Sequence, residues 1–134
     1  MLDLYVLLSS ILEPIVPTWV GHYPTLQQDI NGLTIPKVYP FAEIKFPNIL
    51  PNNRYSDNNL LTIDIWNNLD TDITEIEGIC DEIHEALNYM HEITPTIAVS
   101  ITRDRPYKLE IPDPDINIQR RQLRYVVNIY AINQ

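Results

Sequence analysis

Three residues of the sequence could together form the active site of a metal-dependent nuclease. Glu43 and Lys45 lie two positions apart in a stretch with the alternation of a β-strand, and Asp64 lies in the next such stretch. Nucleases of this type hold a divalent metal between two carboxylates and place a lysine beside it. The Pro-Asp element usual in such enzymes does not precede Glu43, and Pro112-Asp113 comes far after it. We therefore expect an exposed cross-strand charge pair here and keep the nuclease as the alternative.

The second predicted helix carries four potential metal ligands along one face. Asp81, His84, Asn88 and His91 follow one another at helical spacing, and such a face could hold a metal ion. The zinc motif H-E-x-x-H is not present, because Asn88 stands where its second histidine is needed. We expect a solvated acidic face and no bound metal.

Nucleophilic and nucleotide chemistry also lack the residues that they need. Cys80 falls on the apolar stripe of the same acidic helix, whereas a reactive thiolate needs electropositive surroundings. A buried, inert thiol is therefore expected. A phosphate-binding loop needs clustered glycines, but Gly21, Gly32 and Gly78 are scattered. These observations predict no enzymatic activity and no cofactor.

Charged residues are distributed unevenly along the chain. Arg120, Arg121 and Arg124 form a basic cluster, whereas the stretch Asp64–Glu92 contains nine acidic residues and no Lys or Arg. Strand alternation places Arg120 and Arg124 on one face and Arg121 on the other. Opposite charges on two sides of one subunit would favour head-to-tail contact between copies. The alternative is a solvated edge strand that its charges protect from aggregation.

Composition narrows the class of protein further. The length of 134 residues predicts that residues 1–134 form a single domain. The net charge of −9 argues against a free-standing nucleic-acid binder. The single cysteine excludes an intrachain disulfide, and the first residues lack the basic segment of a secretory signal. We expect a protein made in a cytoplasm, with no membrane association.

Periodicity predicts two helices. Residues 3–13 repeat leucine and isoleucine at helical spacing, and Pro14 ends the pattern. Residues 72–90 carry a longer apolar stripe, with Asp72 and Glu75 placed as a capping box.

Four stretches with alternating apolar residues predict strands, at residues 38–46, 60–66, 96–102 and 118–132. The expected fold is α+β, with an antiparallel or mixed sheet of about four strands and two helices packed on one face. Between the first two strands lies a long loop, residues 47–59, with two prolines and five asparagines. Loops of this length are usually functional or mobile, and we expect this one to be flexible.

The segment Leu61–Trp66, followed by a loop and an amphipathic helix, resembles the central strand–helix unit of siphophage tail-completion, or head–tail joining, proteins. The first helix, the segment Ile35–Tyr39 and the ending Arg120–Val127 are similar to parts of the same family. The resemblance covers nearly the whole chain in the order and length of its elements. It implies a virion structural protein that forms a ring, expected to be hexameric, between the tail tube and the head connector.

The same resemblance sets the expected partners and location. They are copies of the chain itself, the tail tube protein and a head connector or completion protein, in the tail or neck of the virion. DNA would pass through the ring without sequence-specific recognition. A tail terminator or a head-completion adaptor are further alternatives. The residues that we expect to contact partners are Asn52, Asn53, Arg54, Tyr55, Trp66, Arg120, Arg121 and Arg124.

Overall fold

The computed structural model describes residues 2–21, 23, 27–28, 30–35, 38–47, 59–68, 72–115 and 117–131. Over these residues the chain forms two helices and eight strands, which confirms the α+β class. In chain order they are α1 (Leu2–Leu12), β1 (Thr18–Val20), β2 (Gln27–Gln28), β3 (Thr34–Ile35), β4 (Phe41–Lys45), β5 (Asn59–Asn67), α2 (Thr74–Leu87), β6 (His91–Ile93), β7 (Ile97–Glu110) and β8 (Gln119–Ala131).

The main sheet has six strands in the order β1-β4-β5-β8-β7-β6, and β2 pairs with β3 in a separate two-stranded ribbon. The β1–β4 pair is parallel and the other pairs of the main sheet are antiparallel, so the sheet is mixed. The predicted number of about four strands is therefore wrong. The added strands β1 and β6 have three residues each, which is too short for a period-two pattern to be recognised in the sequence.

One face of the main sheet forms the core together with both helices. The side chains of the alternate residues Leu61, Ile63 and Ile65 of β5 are fully buried there. The helix arrangement does not match the prediction exactly: α1 contacts the edge strand β1, whereas α2 lies on the central strands β5 and β8. The buried helix residues are Leu4, Leu8 and Leu12 of α1 and Ile76, Ile79, Cys80, Ile83 and Leu87 of α2.

Strand β7 continues well beyond the predicted residues 96–102. It runs to Glu110 through Pro106, with a break in its register against β8 between Arg103 and Lys108. On its other side β6 pairs only with Ala98–Ser100, and no further described strand lies along that edge. A proline lacks a backbone donor and is tolerated at such an irregular edge position. The proline-rich connection expected after residue 102 is therefore partly strand.

The local signals near the helix ends and the long loop have mixed outcomes. Asp72 lies two residues before the start of α2, and its carboxylate accepts a hydrogen bond from the backbone N–H of Thr74 at 2.9 Å. The predicted capping box does not form, because Ile73 occupies the N-cap position and makes no side-chain cap; the carboxylate of Glu75 instead accepts a hydrogen bond from Asn67 at 3.0 Å. Most of the predicted flexible loop, residues 48–58, lies outside the described residues, so its flexibility stays a prediction.

Neither helix among the described residues has the length and apolar character needed to cross a membrane.

Ion pairs among a group of charged side chains link helix α2 to the β7–β8 hairpin. The carboxylate of Glu77 lies 2.6 Å from Lys108 Nζ and 2.8 Å from Arg121 Nε. The side chain of Arg121 is only 7% exposed, and it also contacts Glu110 at 2.9 Å. The hydrogen bond from Lys108, assisted by Arg121, holds the pKa of Glu77 below its ordinary value of 4.5. A buried guanidinium needs such partners, because leaving it unpaired costs far more than an exposed pair contributes.

Replacing Glu77 with glutamine should destabilise the fold by about 1–3 kcal/mol. The amide keeps the size of the side chain but removes the charge that faces Arg121 and Lys108. Urea unfolding followed by circular dichroism measures the change in the free energy of unfolding. Glu92→Gln, at an exposed position of β6, is the matched control and should change stability by less than about 0.5 kcal/mol. Equal effects of the two substitutions would contradict this account of Glu77.

Candidate functional site

The face of the sheet opposite the helices carries a row of aromatic rings that ends in an arginine. The register places Phe41, Trp66 and Arg120 side by side on β4, β5 and β8. The Trp66 ring stacks on Phe41 at a centroid distance of 5.1 Å, and the Arg120 guanidinium lies 4.8 Å from the centre of the Trp66 ring. Tyr23 extends the row, with its ring 4.5 Å from that of Phe41. Trp66 and Arg120, two of the predicted contact residues, therefore form one cation–π pair.

A polar row lies next to the aromatic row on the same face. Glu43, Asp64 and Gln122 are register partners on β4, β5 and β8. Asp64 is 2% exposed, and its Oδ1 accepts hydrogen bonds from Arg120 Nη2 and Gln122 Nε2, both at 3.1 Å. Glu43 is 5% exposed and lies directly opposite Asp64. The expected exposed charge pair is thus a buried row of polar side chains.

The three residues of the nuclease alternative do come together on this face. Lys45 follows Glu43 at the next position on the same side of β4, opposite Thr62 and beside Asp64. The carboxylates are nevertheless almost inaccessible, and Asp64 is already held by two side-chain donors. Among the described residues, no three His, Cys, Asp or Glu side chains are grouped so that they could hold a metal ion.

The three predicted contact arginines form ion pairs within the chain. Arg120 lies 3.1 Å from Asp64, Arg121 contacts Glu77, and Arg124 lies 3.3 Å from Asp104. The alternation predicted for them is confirmed, because Arg121 faces the helix side and Arg120 the opposite side.

The hypothesis that the acidic stretch and the basic strand lie on different sides of the subunit is wrong. Asp64 and Glu77 belong to the acidic stretch, and they neutralise Arg120 and Arg121 of the same chain. The physical reason is the antiparallel β5–β8 pairing with α2 above it, which the sequence pattern did not specify. Arg121 is too deeply buried to contact a partner, whereas a contact role for Arg120 and Arg124 stays a prediction.

Four further predicted contact residues, Asn52, Asn53, Arg54 and Tyr55, lie outside the described residues. Their role also stays a prediction.

The histidine of α2 is half-buried in a cluster with two tyrosines and does not lie on a fully solvated helix face. His84 Nδ1 lies 2.9 Å from the hydroxyl of Tyr125, which is fully buried, and the Tyr107 ring stacks on the imidazole at 4.2 Å. Burial, together with the positive charge of Arg103, lowers the pKa of His84 below its ordinary value of 6.5. Burial also raises the pKa of Tyr125, so both rings are neutral near pH 7.

The other candidates on α2 are also accounted for by the fold. Cys80 is 1% exposed, and burial, reinforced by the charge of Glu77, raises the pKa of its thiol to about 12. The prediction of a buried thiol is confirmed. Asn88 Oδ1 accepts a hydrogen bond from the Arg103 N–H at 3.3 Å. His91 lies on β6, because α2 already ends at Leu87, so the predicted four-residue helix face does not form.

Two exposed arginines were missed by the sequence analysis. Arg103 and Arg105 lie at the irregular part of β7, and neither forms an ion pair with another described residue. They flank an open groove that is also lined by Asp104, Pro106 and Tyr107. The two arginines alternate with Asp104 just before Pro106. This polar, proline-containing pattern is typical of a connection between strands, so no site was predicted there.

No model of a known protein family matches the chain, and no curated protein matches it. The functional assignment therefore depends on the residues and on their arrangement.

Because the pKa of His84 is lowered in the fold, we expect the protein to lose stability as the pH falls below about 7. Below pH 6.5 the unfolded chain binds a proton on this histidine that the folded chain resists, so the free energy of unfolding decreases. Urea unfolding at a series of pH values measures the effect. His84→Gln, which stays neutral, should remove this part of the pH dependence, and His91→Gln on exposed β6 should retain it. An unchanged pH profile for His84→Gln would rule the explanation out.

Proposed function

We propose that this chain is a structural subunit of a phage tail, forming a ring at its head-proximal end that joins the tail tube to the head connector. The observation that carries the proposal is the position of β5 and α2, whose strand–helix sequence underlies the resemblance. They lie at the centre of the fold, with β5 between β4 and β8 and α2 packed on β5 and β8. When the short strands β1, β2, β3 and β6 are left out, the elements follow the order α1, β4, β5, α2, β7, β8, which agrees with the order that the resemblance implies.

The use of the reactive residues supports a role in assembly over catalysis. Asp64, Glu77, His84 and Cys80 are all engaged inside the fold, by ion pairs, hydrogen bonds or burial. Contacts between subunits would use the loop residues 52–55 and the Trp66–Arg120 pair, in a ring of six copies. A tail terminator or a head-completion adaptor would draw on the same surfaces, and tail completion is the form that we propose.

A nuclease remains the second candidate because Glu43, Lys45 and Asp64 lie together on one face. Catalysis would require a divalent metal to reach Asp64 and to replace its hydrogen bonds from Arg120 and Gln122. Both carboxylates would also have to become accessible to a DNA phosphate.

Deleting the gene from the phage genome that carries it should yield filled heads and separate tails, seen by electron microscopy. Infectious particles should return when the intact chain is supplied in trans. Supplying a chain with Arg54→Ala and Tyr55→Ala should restore far fewer particles, because Arg and Tyr side chains often dominate interface energies. Ser56→Ala is the matched control in the same loop and should restore them fully. Normal infectious particles without the chain would refute the proposed function.

The purified chain should not cleave DNA in the presence of Mg²⁺ or Mn²⁺. The reason is the burial of Glu43 and Asp64 and the pairing of Asp64 with Arg120. Incubation with linear and supercoiled DNA, followed by gel electrophoresis, tests this directly. Metal-dependent cleavage that is lost in Glu43→Ala but retained in Glu92→Ala would establish the nuclease and overturn the structural role.

A further inference from the structure

A small exposed surface lies where the C-terminal end of α2 meets the outer edge of β7. It consists of Tyr89, Arg103 and Arg105, which we call the tyrosine–arginine surface. The Asn88 side chain joins its two parts by accepting the Arg103 N–H at 3.3 Å. Tyr89 is 69% exposed and both arginines are exposed. The surface lies away from the Trp66–Arg120 row and was not among the predicted contact residues.

Among the described lysines and arginines, Arg103 and Arg105 are the two that are both exposed and without an ion pair to another described residue. Of the lysines and arginines among the described residues, Lys108, Arg120, Arg121 and Arg124 are in ion pairs within the chain. Arg103, Arg105 and Lys45 are not, and of these three Lys45 is half-buried whereas the two arginines are exposed, on a chain with a net charge of −9. Two unneutralised guanidinium groups next to each other on an acidic protein favour an anionic partner.

Tyr89 provides a second and independent indication. Its backbone has a φ of +62°, in the left-handed region, directly after Asn88, the C-cap residue of α2. Glycine is the usual residue at this position, because a side chain there raises the energy of the folded backbone. Burial in the subunit does not account for a tyrosine that is 69% exposed. Tyrosine and arginine are the residue types most often found at the energetic centre of protein interfaces.

The geometry of β7 determines how a partner can bind at this surface. Pro106 has no N–H, and the register against β8 is broken between Arg103 and Lys108. An added strand would therefore find an incomplete and irregular set of backbone groups. Side chains must make the contact, and guanidinium groups are suited to carboxylates, which they can bind with two parallel hydrogen bonds.

The chain itself displays carboxylates of this kind on the exposed side of α2. Asp81, Glu82 and Glu85 are exposed, and none forms an ion pair with another described residue. The core contacts of α2 and the Glu77 ion pairs hold the helix in place, and in this position its outer carboxylates do not pair with the two arginines of the same chain. They remain available to another molecule.

We propose that the tyrosine–arginine surface of one copy binds the exposed acidic side of α2 in a second copy of this chain. This contact rests on the proposed function, for which it supplies a specific interface between subunits. Opposite charges orient the two copies and speed their encounter, and Tyr89 contributes apolar contact area. A nucleic acid is disfavoured as the partner, because the net charge of −9 repels a long polyanion far more than it repels a short acidic helix face.

The test compares the association of charge-reversed variants by sedimentation velocity at increasing protein concentration and at low and high salt. The intact chain should self-associate, and salt should weaken the association. Arg103→Glu with Arg105→Glu should stay monomeric, as should Glu82→Arg with Glu85→Arg. An equimolar mixture of these two variants should associate again, because each supplies the charge that the other lacks. Lys45→Glu changes the net charge on β4 and is the control, with unchanged association.

Tyr89→Gly separates a binding role of the tyrosine from a structural one. The glycine variant should have an equal or higher thermal unfolding midpoint, since glycine accepts the positive φ without strain. Its self-association should nevertheless weaken by about tenfold or more in Kd. A lower midpoint together with unchanged association would show that Tyr89 serves the fold of the subunit, and would remove it from the interface.

Several results would overturn the proposed contact. They are a wild-type chain that stays monomeric at all concentrations, a variant mixture that fails to associate, an equal effect of Lys45→Glu, or binding of labelled duplex DNA that Arg103→Glu with Arg105→Glu abolishes. The first three leave the role in tails untouched, because subunits can assemble through the loop residues 52–55. Conversely, restored association of the mixture would stand even if phage particles formed normally without the chain.

Discussion

The guanidinium of Arg121 has to be paired inside the protein, and the position of α2 depends on how this is done. The residue lies on the helix-facing side of β8, where its side chain is 7% exposed. Glu77 provides the counter-charge from α2, and the same carboxylate also binds Lys108 of β7. The β7–β8 hairpin and the helix are thereby held together at one end, while apolar packing under Ile76, Ile83 and Leu87 holds the rest. Loss of the Glu77 carboxylate would leave Lys108 without its ion-pair partner and Arg121 with only the exposed Glu110.

This internal pairing also decides which charges remain at the surface. The cluster at residues 120–124 is the most conspicuous basic feature of the sequence, but the fold neutralises it with Asp64, Glu77 and Asp104. The exposed charges that remain include those of Arg103 and Arg105 on β7 and of the carboxylates on the outer side of α2. The charge pattern of the surface therefore differs from the one that the basic strand suggests in the sequence.

Much of the core could be predicted from the sequence, because its signal is local. The apolar stripe of α2, the burial of Cys80 and the alternation in β5 and β8 follow from side-chain periodicity, which backbone geometry converts directly into a buried face. The short strands were not predicted, because a segment of three residues such as Thr18–Val20 is too short to show the two-residue alternation of a strand. Of the predicted contact residues, Trp66 and Arg120 lie together because of the register between β5 and β8. This register cannot be inferred from their spacing in the sequence.

The α+β class, the two amphipathic helices and the apolar residues of the core can be inferred from local sequence patterns, because each depends on neighbours within a few positions along the chain. Which charges are internal and which face outward follows only from the packing of the elements. Ion pairing depends on distances of about 3 Å between residues that are far apart in sequence, such as Asp64 and Arg120 or Glu77 and Arg121. Strand order, register and helix placement set those distances. They also determine which charged side chains remain at the surface.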